Sequence, residues 1–145
     1  MTDIGIARWA SAILFAMASA PAVAEPAAPS IGPLNLVCSG QADKAEYAVE
    51  EQVRAQDADV RIYLAGNGGS AEIPRFIGGA PEGRQEVRLF TVTDAMITGK
   101  INYRAFGNAK MRIDRIAGTV SITGPRGNFS GRCRPFDPAQ VTPKF

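Results

Sequence analysis

The chain predicts an all-β domain, a compact antiparallel β-barrel or sandwich of about nine short strands whose first and last strands are joined by a disulfide. Three observations lead there. Short runs of alternating apolar and polar residues recur along the chain, bounded by Gly, Asn, Asp or Pro. No stretch sustains a 3.6-residue apolar period over the length of a helix, and the polar segment Gln41 to Glu46 offers at most one turn. The only two cysteines, Cys38 and Cys133, stand near the two ends of the patterned region.

Residues 1–24 read as a secretory signal peptide. Arg8 gives the positive start, Trp9 to Ala20 a short apolar run, and Ala22-Val23-Ala24 before Glu25 an A-x-A cleavage signature. The apolar run is shorter than the roughly 20 residues that span a bilayer, so no transmembrane segment is expected in the mature protein. The expected location is periplasmic or secreted. Residues 25–33, rich in Pro and Ala, form a tether; residues 34–134 form the β domain; residues 135–145, with three prolines, form an extended tail.

Within the domain, Leu34, Leu36 and Cys38 share one face of the first strand. Tyr47, Val49 and Val53 share a face of the second, and Val60, Ile62 and Leu64 mark the third. Asn67-Gly68 follows as a hairpin signal, because both residue types tolerate positive φ. Ala71 to Phe76 is a weaker strand, demoted by Pro74 to an edge or bulge. Val87 to Val92 is apolar on both faces, which predicts a central strand covered on both sides. Ile101 and Tyr103, Met111 and Ile113, Val120 and Ile122, and finally Phe129, Gly131 and Cys133 alternate with polar residues in the last four strands. Cys38 shares its face with Leu36 and Cys133 with Phe129, so a Cys38–Cys133 bridge places the first and last strands side by side. Closure there would leave no long open edge.

The segments Leu36-Val37-Cys38-Ser39-Gly40, Ile113-Asp114-Arg115-Ile116-Ala117-Gly118 and Asn128-Phe129-Ser130-Gly131-Arg132-Cys133, with the terminal Lys144-Phe145, resemble a set of small exported proteins of alphaproteobacteria. The resemblance covers most of the mature chain and implies no activity. Its motifs are structural: Asp114 caps a hairpin, Arg115 pairs with a carboxylate, and Gly118 allows the turn.

Much chemistry is absent. The chain has no histidine, the commonest general base and metal ligand, and a disulfide consumes both thiols. Glu50 and Glu51 are strand neighbours that point to opposite faces. Asp57-Ala-Asp59 reads as turn chemistry between strands rather than a calcium site. No cofactor and no metal is expected, and the domain reads as non-enzymatic.

Charge is the one positive clue. From Glu25 to Ile97 there are six basic and eleven acidic residues, net −5; from Thr98 to Phe145 there are nine and two, net +7. Lys100, Arg104, Lys110, Arg112, Arg132 and Arg134 alternate with core residues, so they form a candidate anion-binding face if their strands are neighbours. The expectation is a binding or interaction protein of the cell envelope, its partner an anionic envelope component or a protein; nucleic acid is a poor fit. The alternative is a small carrier holding an apolar ligand inside the barrel against Tyr47, Phe90 and Tyr103. The leader generates the first test: intact mass of the exported protein should begin at Glu25, and a mature form that keeps Trp9 would overturn the assigned cleavage.

Overall fold

The computed structural model describes residues 27–43, 55–74, 77, 83–104, 107–125 and 127–140. Eight strands run in chain order: β1 (Ile31–Asp43), β2 (Gln56–Gly66), β3 (Gly68–Glu72), β4 (Arg84–Val92), β5 (Met96–Asn102), β6 (Asn108–Asp114), β7 (Thr119–Gly124) and β8 (Gly127–Pro135). Each pairs antiparallel with the next, and β8 returns to β1 to close the barrel. The ninth expected strand, on Tyr47, Val49 and Val53, lies outside the described residues. β1 pairs directly with β2, and the barrel closes without it.

Period-two patterning builds the wall. Along β6, Ala109, Met111 and Ile113 are buried while Lys110 and Arg112 are exposed, and β7 repeats this with Val120 and Ile122 inside. The inward side chains fill one apolar core that includes Ile62, Leu64, Ile97, Ile101, Ile122 and Phe129. An apolar interior and a charged exterior reverse the arrangement of a transmembrane barrel, whose outer band is apolar. At one end Ile77 is fully buried, its amide donating to the Pro74 carbonyl at 3.0 Å.

The closing seam rests on direct facing of the two cysteines. Cys38 opposes Cys133 in the β1–β8 register and the two are joined in a disulfide with Cα atoms 4.0 Å apart. The Cys133 amide donates to the Gly118 carbonyl at 2.8 Å, on the β7 side, so this is a non-hydrogen-bonded pair toward β1, the closer of the two antiparallel pair types. Two residues along, Gly40 faces Gly131. A Cβ on Gly40 would lie 2.0 Å from the Ser130 carbonyl oxygen, and one on Gly131 2.7 Å from that of Ser39. The glycine pair therefore lets the strands approach as closely as the disulfide needs.

Four local readings change. The β2–β3 turn is centred one residue early: Ala65 pairs with Gly68, and Gly66, with φ 63°, supplies the left-handed residue. Asn67 is held instead by its carbonyl, which accepts from the Leu89 amide at 3.0 Å. Asp57 and Asp59 lie within β2 rather than in a turn, both exposed, with the Gln41 amide donating to Asp57.

The third change concerns Val87 to Val92, which is not covered on both faces. A bulge sits between Leu89 and Thr91, since Leu89 opposes Gly99 while Thr91 opposes Thr98. Such a bulge places two successive residues on one side. Leu89 therefore points in, Phe90 and Thr91 out, and Val92 in again against the core, leaving Phe90 55% exposed.

The expected hairpin cap at Asp114 is present: its Oδ1 accepts from the Ile116 and Ala117 amides at 3.0 and 2.8 Å, and Gly118 takes φ 65°. Arg115 differs from expectation. Its guanidinium donates to the Thr93 carbonyl at 2.8 Å and its amide to Ala95 at 2.8 Å, tying the β6–β7 turn to the β4–β5 turn rather than pairing with a carboxylate.

The seam yields the second test. Cys133→Ser should lower stability by roughly 2–5 kcal/mol, measured by denaturant unfolding, and thiol labelling of the unfolded, unreduced protein should find no free Cys38 or Cys133. Quantitative labelling of both would contradict the bridge.

Candidate functional site

Cross-strand register shows which of the six candidate cations meet. Arg88 on β4 opposes Lys100 on β5, and Lys100 opposes Lys110 on β6. Arg112 follows two residues after Lys110 on the same face and opposes Thr98 and Ser121. Lys100, Lys110 and Arg112 thus stand together, joined by Arg88, which the sequence pattern did not single out. The signal for Arg88 was its alternation with Val87 and Leu89, hidden by reading that strand as covered on both faces.

The other three lie elsewhere. Arg132 and Arg134 are on β8, where Arg132 faces Thr119 and Ser39, and Arg134 faces Val37. β7 intervenes, presenting Thr119, Ser121 and Thr123, so β8 is two strand spacings, or about 10 Å, from β6. Arg104 sits in the β5–β6 connection with φ 55°, its amide donating to Asn102 Oδ1 at 2.8 Å.

The partners of these cations distinguish two sides of the outer wall. On β2–β4, Glu72 accepts from Arg61 at 3.5 Å and Arg84 at 3.0 Å, and the Tyr63 hydroxyl donates to it at 3.4 Å. Arg84 also stacks on the Tyr63 ring, 4.1 Å from its centroid, and that ring meets Phe136 edge-on at 5.6 Å. The hydrogen bond to Glu72 holds the Arg84 guanidinium above its ordinary pKa. These two cations share the single carboxylate of Glu72.

On β4–β6 the opposite holds. Among the described residues, none of Arg88, Lys100, Lys110 and Arg112 forms an ion pair. Glu86, two residues before Arg88, borders a small depression with Arg88, Lys100 and Asn102. Beside the row runs a shallow groove of about 430 Å³ lined by Phe90, Thr98, Lys110, Arg112, Ser121 and Thr123, among others. Among the described residues no three His, Cys, Asp or Glu side chains converge as a metal site.

Inside the barrel, of the three residues expected to line a carrier pocket, Tyr47 lies outside the described residues and Phe90 points outward. Tyr103 alone points in. It is fully buried, and its hydroxyl is the single buried side-chain polar atom without a hydrogen-bond partner among the described residues. Burial pushes its pKa up to about 12.

No protein-family model, no curated protein and no solved structure matches this chain.

The buried phenol sets the third test. Tyr103→Phe removes an unpartnered hydroxyl, so stability should hold or rise by up to about 1 kcal/mol. In the wild type the folded pKa lies above the unfolded value of about 10, so the unfolded state loses its proton first. The contribution of Tyr103 to stability should be level below about pH 10 and fall between there and pH 12, a difference the variant lacks. Absorbance titration at 295 nm should show one late tyrosine, absent from the variant.

Proposed function

We propose that this chain is an exported, non-enzymatic binding domain of the cell envelope that holds a polyanionic ligand on the outer face of β4–β6. The observation that carries this reading is the row Arg88–Lys100–Lys110, in which like charges stand directly opposite one another across two successive strand pairs. Like charges in that position destabilise a sheet. Each such pair costs a few tenths to about 1 kcal/mol, and among the described residues no carboxylate forms an ion pair with the row as Glu72 does with Arg61 and Arg84. Folding gains nothing from the arrangement, whereas an anion laid across it would gain from every member.

Export is supported by the signal-like leader, Arg8 to Ala24, and by the disulfide, which suits an oxidising compartment. The non-enzymatic reading rests on the missing histidine and on the use of both cysteines in the bridge. Surface binding is favoured over a carrier by the inward side chains of the described strands, which pack as one apolar core, and by Phe90, which points outward.

The test is retention on immobilised heparin, a generic polyanion, with salt elution. The wild type should be retained at low salt and released as ionic strength rises, since exposed charges are screened over about 8 Å at 0.15 M. Lys110→Glu with Arg112→Glu should abolish retention. Lys110→Glu alone should raise stability by roughly 0.2–1 kcal/mol, because it turns a repulsive cross-strand pair with Lys100 into an attractive one. Undiminished retention of the folded double variant would overturn the reading.

A further inference from the structure

We propose that the β4–β6 face docks on an anionic lipid bilayer, with its cations on headgroup phosphates and the Phe90 ring inserted among the headgroups. This rests on the polyanion reading above and narrows it to one ligand class.

Charge alone does not account for the exposed aromatic ring that the bulge puts beside the row. Without the extra residue at Leu89–Thr91, strict alternation would leave only one of Phe90 and Thr91 facing out; with it, both do. Phe90 is 55% exposed and follows Arg88 by two residues on the same face. It also borders the groove that contains Lys110 and Arg112. The only other large exposed apolar side chain among the described residues, Ile116, is 83% exposed in the turn that follows β6, the strand carrying Lys110 and Arg112. Phe90 therefore borders the basic rows, and neither exposed apolar group lies on the β2–β3 side, where Glu72 pairs with Arg61 and Arg84.

The cations stand side by side on the convex outer wall of the barrel. Arg88, Lys100 and Lys110 occupy one cross-strand row over three adjacent strands, with Arg112 in the neighbouring row. Such a layout addresses many anions spread over a surface rather than one anion enclosed on several sides. The flanking carboxylates do not cancel it. Glu86 lies at one end, and Asp94 is in the β4–β5 turn. Asp114 is engaged by the Ile116 and Ala117 amides. Basic residues near an anionic leaflet and a modest apolar anchor are each weak alone, and stable attachment takes two such signals together.

The experiment is co-sedimentation of the disulfide-bonded protein with vesicles of phosphatidylcholine alone or with phosphatidylglycerol added, beside heparin retention of the same samples. Binding should require phosphatidylglycerol and weaken with salt. Phe90→Ser should lower vesicle affinity about tenfold while leaving heparin retention unchanged; Lys110→Glu with Arg112→Glu should lose both. In the processed chain that begins at Glu25 and so lacks Trp9, Phe90→Trp should give an emission that shifts to the blue on anionic vesicles. Wild-type protein that binds heparin but not vesicles, Phe90→Ser protein that binds vesicles as the wild type does, or an unshifted Trp emission would overturn bilayer docking and leave the polyanion reading standing. Failure on both heparin and vesicles would remove that reading as well.

Discussion

A sheet of short strands has two edges, each a row of unpaired amides and carbonyls, and here the first and last strands satisfy one another. β8 pairs with β1 from Leu36 to Asp43, and Cys38–Cys133 fixes that pairing covalently across 95 positions of sequence. The chain-entropy value of such a loop is about 4–5 kcal/mol, a large share of the ~5–15 kcal/mol that holds a domain together. Every other feature follows from closure. Once the ring is shut, each strand has one face inside and one outside, and the register of eight ladders sets which outer side chains become neighbours. Gly40 and Gly131 belong to this constraint as much as the cysteines, since a side chain on either would meet the opposite backbone.

Closure was legible in the sequence because it depends on parity. Cys38 falls in phase with Leu36, Cys133 in phase with Phe129, and two inward cysteines on terminal strands have one economical arrangement. The inner residues of β2, β6 and β7 were legible for the same reason. The bulge was not. Val87 to Val92 contains enough apolar residues to pass for a buried strand, and a one-residue slip in pairing leaves no mark in composition; only the opposition of Thr91 to Thr98 after Leu89 to Gly99 reveals that Phe90 turns outward. That error also concealed Arg88. Parity says which face a cation occupies but not which strands adjoin, so Arg132 and Arg134 were grouped with Lys110 although β7 stands between them.

The outer wall is electrostatically uneven even though the chain's net charge is only +2. On one side a single carboxylate, Glu72, gathers Arg61, Arg84 and Tyr63 into a satisfied cluster that also stacks against Phe136. On the other, four cations share two adjacent rows with no ion pair among the described residues, next to an aromatic ring brought out by an irregularity in the strand. The first side spends its charges on the fold. The second keeps them available, and the proposed function lies in that difference.

The most direct measurement is an amide NMR titration of the isotopically labelled protein with inositol hexakisphosphate, a compact soluble polyanion. The account predicts that the largest shift changes fall on Arg88, Lys100, Lys110 and Arg112 and their ladder partners, with Tyr103 and the core unaffected. Changes centred on β1 and β2, on β8 around Arg132 and Arg134, or on the inward-facing residues would contradict it.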